Sequence, residues 1–379
     1  MTPIAFRGNA VVGTHTAPST IVVENGVIAS IQRGLARDGN LPETVIDADF
    51  ISPGLIDMQV NGGWGAEVTP NSDDINHISR SQLPTGVTAW LPTVVTSAAA
   101  SYPPFFDAWG RHDHSAGAVP LGYHLEGPFL TLEKKGAHNP DFIEAANDDL
   151  FKSWIGQRSI ALVTLAADRP GAPDMIRQLV QDGILVSIGH TNATYEEFVA
   201  GIDAGARTAT HLFNAMTAIH HRAPGAMVAT LVDDRVTAGL IPDGVHSHPA
   251  TVRLAIKTKG YDGIVIVSDM MAACGMPPGT YPLATKSVIV TEDSARLQDG
   301  TLAGSILTMD QALRNLVEWS ECTPAQGIHM MTAVPARLLN DDSRGRIVVG
   351  ARADITAWTT DLRATHTMVG GELRWQAEG

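Results

Sequence analysis

Short apolar runs that break off at polar or glycine-rich residues recur eight times along the chain, each followed by a longer helix-compatible stretch. They begin with I-S-P-G-L-I-D-M-Q-V-N-G from Ile51, V-T-A-W-L-P-T from Val87, V-P-L-G-Y-H-L-E-G from Val119 and I-A-L-V-T-L-A from Ile160. I-L-V-S-I-G-H follows from Ile184, R-T-A-T-H-L-F-N from Arg207, V-T-A-G-L-I-P-D-G from Val236 and I-V-I-V-S-D-M from Ile264. Apolar runs alternating with amphipathic segments such as Thr194–Ala204 and Pro249–Lys259 imply parallel strands covered on both faces. Eight such units favour closure into a (β/α)8, TIM-like barrel over an open doubly wound sheet. Neither a Gly-rich dinucleotide fingerprint nor a P-loop supports the open alternative. The expected class is therefore α/β, with the barrel spanning residues 53–344.

In such a barrel the chemistry gathers at the C-terminal strand ends. Those ends carry Gln59 and Asn61, Glu126, His190, His211, Asp243 with His246, and Asp269. Glu126 closes an otherwise apolar run, where a carboxylate without a partner would lose its hydration uncompensated. It needs a counter-charge. With His190 and His211 it offers one carboxylate and two imidazoles from three strands, a ligand set for one divalent metal that leaves positions for water and substrate. Zn²⁺ suits this set first, and Fe²⁺, Co²⁺ and Mn²⁺ fit it in principle. Each residue alone has a plainer reading, a core histidine or, for Asp269, the cap of a turn; their convergence on neighbouring strand ends is what favours the metal.

A metal lowers the pKa of its water from 15.7 to about 7, worth on the order of 12 kcal/mol. Asp269 is placed to take that water's proton and return it to a leaving group. His138, in K-K-G-A-H-N-P (134–140), can reach over the mouth and donate to a developing oxyanion. Arg222, in H-H-R-A-P-G (220–225), has a planar fork suited to phosphate or carboxylate, and His246 stands in D-G-V-H-S-H. A surface salt bridge is the default alternative for Arg222. The serine elbows of covalent hydrolases are absent.

The ends of the chain read differently. T-I-V-V-E-N-G-V-I-A-S-I places two β-rich runs around an Asn25-Gly26 turn, a strong hairpin signal. R-I-V-V, D-I-T-A-W and T-M-V-G-G-E-L-R-W, all after residue 345, read as further short strands. Neither end has enough strands for a sheet of its own, so residues 1–52 and 345–379 are expected to share one small β-sandwich domain. The net charge of −14 argues against nucleic acid or an anionic membrane as partner, though local cations can reverse the sign within a cleft. No run approaches eighteen apolar residues, the N-terminus shows no signal-peptide pattern, and Cys274 and Cys322 imply no disulfide framework. A cytoplasmic protein is expected.

Taken together the chain resembles the N-acetylglucosamine-6-phosphate deacetylases of the amidohydrolase superfamily. The resemblance is carried by P-G-L-I-D-M-Q-V-N-G, H-L-E-G-P-F, K-K-G-A-H-N-P, G-H-T-N-A-T, T-H-L-F-N-A-M, R-A-P-G, D-G-V-H, V-S-D and G-T-L-A-G-S, which follow one another from about residue 53 to residue 305. It implies that Glu126, His190 and His211 hold the metal, that Asp269 is the general base and acid, and that His138 polarises the acetyl carbonyl. It implies further that Ala137, Asn214, Ala215 and the Leu302–Ala303–Gly304 turn meet the substrate, and that Arg222 and His246 handle the sugar and its phosphate. A homodimer whose neighbour contributes to phosphate binding, and release of glucosamine 6-phosphate and acetate, belong to the same implication.

Two departures qualify it. Many amidohydrolases carry His-X-His after the first strand for a second metal; here the pair is Gln59 and Asn61, whose amides are poor Zn²⁺ ligands, and V-T-L-A-A-D lacks a bridging lysine. One metal per chain is expected, with Gln59 and Asn61 a vestigial second position. Ala223 stands where the family commonly has a glutamate beside the arginine. The alternatives are a one-metal amidohydrolase acting on another N-acyl sugar, a nucleobase deaminase, and, more remotely, a non-catalytic barrel scaffold. The role of Cys274 is read as core filling.

Overall fold

The computed structural model describes residues 2–37, 39, 41–320 and 322–378. Its centre is a ring of parallel strands. In order they are Leu55–Val60, Val87–Val95, Tyr123–Glu126 and Ile160–Leu165, then Leu185–Ile188, Thr208–Ala209, Thr237–Leu240 and Ile264–Ile266. Each pairs with its predecessor. The ring closes just past the eighth strand, where Val60 bridges Met270. There the Asp269 N–H donates to the Gln59 carbonyl at 2.9 Å and the Asn61 N–H to the Met270 carbonyl at 2.8 Å. Every one of the eight apolar runs is a barrel strand, and the runs are buried along nearly their whole length because side chains fill the inside and helices cover the outside.

The helices between strands start and stop for local reasons. Tyr195–Ala204 opens on a capping box: the Glu197 N–H donates to Thr194 Oγ1 at 3.2 Å and the Thr194 N–H to Glu197 Oε2 at 2.9 Å. Pro249–Lys259 opens on His248, whose ring accepts the Ala250 N–H, with proline where a missing N–H costs nothing. It stops at Gly260, whose φ of +66° suits a residue without a Cβ.

Both termini join one sheet. Its strand order is Glu372–Gln376, Ala364–Val369, Ile355–Trp358, Thr44–Pro53, Ile4–Val12, His15–Glu24 and Val27–Arg33. The sandwich expected of the termini is thus built from a single hydrogen-bonded sheet of seven strands around its own apolar cluster, which includes Phe6, Ile21, Ile51, Ile355 and Met368. Asn25 and Gly26 make the hairpin turn with φ of 51° and 84°, the pair of positive angles that a two-residue turn between twisted strands requires. R-I-V-V is not a strand. Ile347 is buried in the sheet's cluster, and the chain then turns so that the Gly350 N–H meets the Ile28 carbonyl and the Ile28 N–H meets Ala351.

The sheet docks on the barrel through named bonds: Thr356 Oγ1 to the Gly86 carbonyl at 2.9 Å and Thr367 Oγ1 to the Leu83 carbonyl at 2.8 Å. A small antiparallel sheet, Gly279–Leu283, Lys286–Val290 and Ala295–Arg296, follows the eighth strand and has no counterpart in the sequence reading. Among the described residues no helix is long and apolar enough to cross a membrane.

Candidate metal centre and active site

Glu126 ends the third strand, and His190 and His211 follow the fifth and sixth, so their side chains meet at the C-terminal mouth. Glu126 Oε1 lies 3.3 Å from His190 Nε2 and 3.2 Å from His211 Nε2, and the two ring nitrogens are 3.0 Å apart. His190 Nδ1 is 2.8 Å from the Lys134 carbonyl, which can only accept, so that nitrogen carries the proton. In the neutral ring Nε2 is then a lone pair facing a carboxylate oxygen, an arrangement that repels unless a cation sits between them. Three donors about 3.3 Å apart are what tetrahedral coordination at roughly 2.0–2.1 Å produces. The residues fit a divalent metal.

His138 joins the same cluster from the 134–140 loop. Its Nε2 lies 3.9 Å from Glu126 Oε2, and its ring packs edge-on against His190 at 4.5 Å. Glu126, His138 and His190 alone offer ligand atoms all within 4.8 Å of one another. His138 and His211 therefore both stand within reach of the position, one more than the set read from the strand ends. Burial and the neighbouring His190 push the His138 pKa down to about 3, so the ring is neutral.

Asp269 follows the eighth strand and is almost fully buried. Burial, then the Glu126 charge, push its pKa up to about 6. Its Oδ1 accepts from Asn61 Nδ2 at 2.7 Å and from Gln59 Nε2 at 3.0 Å, and the same Gln59 nitrogen donates to Glu126 Oε1 at 3.0 Å. The first-strand amides thus tie the two acids together. Burial pushes Glu126 up as well, but the His190 and His211 rings that face its Oε1 outweigh it and hold its pKa well below the carboxylate range. For His211, burial pulls the pKa down and the Glu126 bond and charge raise it further, leaving it above the usual imidazole value. The cluster is built around positive charge.

His190, His211, Ala215 and Asp269 all hold left-handed backbone, with φ of 47°, 33°, 50° and 52°. Each such angle in a non-glycine residue costs about 1–3 kcal/mol, which is tolerated where a site depends on it. His124, two residues before Glu126 and so on the same inward face, is buried and pushed down to about 4 by that burial. It bonds Thr164 at 2.8 Å, and Thr164 bonds Thr210 at 2.7 Å.

A cavity of about 290 Å³ opens over the cluster, walled by Glu126, Ala137, His138, His190, His211, Asn214, Ala215, His246, Asp269, Leu302 and Gly304. Asn61 also reaches it, whereas Gln59 stays beneath. Ala303 is buried behind the wall. Asp243 Oδ2 takes His246 Nδ1 at 2.6 Å, which turns the other ring nitrogen free of that pair. Arg222 is not in the wall: it is exposed, its Nη1 2.8 Å from His221 Nε2. Among the wall residues that the sequence reading did not assign are two lysines, Lys134 and Lys286. Lys134 stands inside the quoted K-K-G-A-H-N-P; Lys286 is in the unforeseen small sheet and had no signal. A larger groove of about 880 Å³ at the opposite end of the barrel, near Ile184, Thr237 and Gly263, holds none of the cluster.

The amidohydrolase family model matches residues 50–374. An N-acetylglucosamine-6-phosphate deacetylase of Lysinibacillus sphaericus is 34% identical over 93% of this chain and 92% of its own. An N-acetylgalactosamine-6-phosphate deacetylase of Escherichia coli O157:H7 is 36% identical over 93% of each. A solved variant of the Mycobacterium smegmatis N-acetyl-D-glucosamine-6-phosphate deacetylase, in complex with N-acetyl-D-glucosamine-6-phosphate, superposes with a TM-score of 0.92 at 31% identity. That alignment covers 99% of this chain and 100% of the other.

Proposed function

Because this chain belongs to the amidohydrolase family, we propose that it hydrolyses the acetamide of N-acetylglucosamine 6-phosphate to glucosamine 6-phosphate and acetate. The observation that carries the reading is the meeting of Glu126 Oε1, His190 Nε2 and His211 Nε2 within 3.3 Å, with Asp269 tied to Glu126 through Gln59. Those three side chains would hold one divalent metal, Zn²⁺ first. When bound it would polarise the acetyl oxygen and make water acidic enough to attack.

The chain's own groups do the rest. Asp269 takes a proton from the attacking water as its oxygen bonds to the acetyl carbon, and delivers that proton to the sugar nitrogen as the C–N bond breaks. A carboxyl with a pKa near 6 can both accept and donate close to neutrality. His138, neutral and beside Glu126, donates to the acetyl oxygen as charge develops there. Ala137, Asn214, Ala215 and the Leu302–Gly304 turn hold the sugar, and His246 bonds it from the far wall. Gln59 and Asn61 fill the second-metal position with amide donors, so one metal per chain suffices. The working unit is a homodimer in which Arg222 serves the partner's cavity, a reading supported by its lying outside its own.

The 36% identity to a galactosamine-type relative favours a second reading, the C4 epimer as substrate. Acetate release from both 6-phosphorylated epimers and from unphosphorylated N-acetylglucosamine, with metal analysis alongside, tests both. Asp269→Asn is expected to lower kcat by roughly 10²- to 10⁴-fold with about one metal per chain retained. An active Asp269→Asn protein, or two tightly bound metals in the wild type, would overturn the assignment.

A further inference from the structure

Asp269 presents its carboxyl to the cavity from a left-handed backbone, at a φ of 52°. Such a conformation persists in a residue with a side chain only where the surroundings over-determine it. The eighth strand cannot do this alone, because its three residues, Ile264–Ile266, end before Asp269. Three buried side chains that stand outside the cavity wall, Asp57, Ser268 and Ser305, take over. Asp57 Oδ1 accepts the N–H groups of Gln59 and Ser268, both at 3.2 Å, and so staples the first strand to the residue before Asp269. Ser268 Oγ reaches past Asp269 to accept the Met270 N–H at 3.2 Å, and donates to the Gln59 carbonyl at 3.3 Å. Ser305 closes the other side. Its Oγ donates to the Ser268 carbonyl at 2.6 Å, its N–H donates to the Asp269 carbonyl at 2.8 Å, and its carbonyl accepts the Met271 N–H at 3.0 Å.

We propose that Asp57 and Ser305 are positioning residues for Asp269: they clamp the left-handed turn at 268–270 and tie it to the turn that meets the sugar. This rests on the deacetylase reading above. Ser305 directly follows Leu302–Gly304, and Gly304 packs so closely that an added Cβ would stand 3.0 Å from the Asp269 carbonyl. The sugar-facing turn and the base are therefore one hydrogen-bonded unit, and a sugar seated on that turn lies at a fixed offset from the Asp269 carboxyl. Gln59 is held by the same clamp. Its N–H bonds Asp57, and its carbonyl bonds Ser268 and the Asp269 N–H, so the amide that joins Asp269 to Glu126 stands on fixed backbone. The serine of G-T-L-A-G-S, which the sequence reading left without a role, acquires one here. A plainer role for these groups, closing the barrel between its first and eighth strands, would show in stability alone.

The test measures kcat, KM, metal content and Tm for the metal-loaded wild type, Ser305→Ala, Asp57→Ala and Asp57→Asn on the better of the two 6-phosphorylated epimers. A misplacement of about 1 Å costs up to roughly 100-fold in rate, so Ser305→Ala is expected to lower kcat by about tenfold or more, with KM little changed and the metal retained. Asp57→Ala should match it, and Asp57→Asn, which keeps an accepting oxygen, should recover most of the rate. Amide hydrogen exchange over residues 267–271 should quicken in both alanine variants. A Ser305→Ala protein with a lower Tm but wild-type kcat would reduce the clamp to barrel closure and overturn the proposal. A kcat loss that tracks lost metal would overturn it too, as would an Asp57→Asn protein no faster than Asp57→Ala. If Asp57→Ala does not fold, Ser305→Ala decides alone. A wild type that releases acetate from neither sugar would instead sink the deacetylase reading, and the exchange comparison would still decide the clamp, unchanged exchange overturning it.

Discussion

Asp57 is fully buried in the first barrel strand. Its Oδ1 accepts the N–H groups of Gln59 and Ser268 at 3.2 Å, while Oδ2 has no partner among the described atoms. Burial, opposed by those bonds and reinforced by the Asp269 charge, pushes its pKa up from 3.8 to about 7. Between those two values the folded protein keeps a proton that the unfolded chain releases, so stability falls as pH rises through the window. The loss is complete above pH 7. A displacement of that size is worth on the order of 4 kcal/mol. Asp57→Asn keeps the accepting oxygen and removes the charge, so its stability relative to wild type should climb between pH 4 and 7. Urea unfolding at several pH values reads this; parallel profiles for the two proteins would refute it. Asp57 went unread because an acid inside an apolar run looks like any strand-end carboxylate. Glu126, His190, His211 and Asp269 were legible because each terminates a run, where a barrel puts its chemistry. Lys286 was not, because 148 residues separate it from the His138 carbonyl it touches.

At the scale of elements, the strands were readable from continuous apolarity and the helices from their ends. Thr194 shows how local that information is. T-x-x-E places a hydroxyl and a carboxylate for reciprocal bonds at the start of Tyr195–Ala204, four residues after His190. Thr194→Ala removes one half and should cost about 1 kcal/mol, a fall in Tm of about 1 °C for a chain of this size. A differential scan showing no fall would mean that tertiary packing, not the cap, holds this end. The small sheet at 279–296 lacked such a signal: its strands are short and half-exposed, so neither period nor burial marks them in the sequence. R-I-V-V misled for the opposite reason, since one buried isoleucine in an apolar tetrapeptide serves a turn as readily as a strand.

At the scale of the molecule, Asn-Gly and the short C-terminal runs foretold a shared sheet, but not its seat on the barrel. That seat depends on Gly86, where φ is +81° and an added Cβ would stand 2.4 Å from the Trp358 ring. Arg222 raises the remaining question of scale, because a fork exposed outside its own cavity can reach a substrate phosphate if another chain brings its cavity to it. In a two-fold dimer each subunit would lend Arg222 to its neighbour. Arg222→Ala then weakens the partner's site, and Asp269→Asn disables its own. Unfolding, mixing and refolding the two variants yields hybrids in which one site has both an intact Asp269 and a neighbour's Arg222. With equal mixing roughly half the dimers are hybrid and one of their two sites is whole, so roughly a quarter of wild-type activity should return at low substrate. If Arg222 acted within its own chain, each hybrid site would lack one residue and mixing would restore nothing. Sedimentation of the unmixed protein as a monomer would exclude the shared site outright.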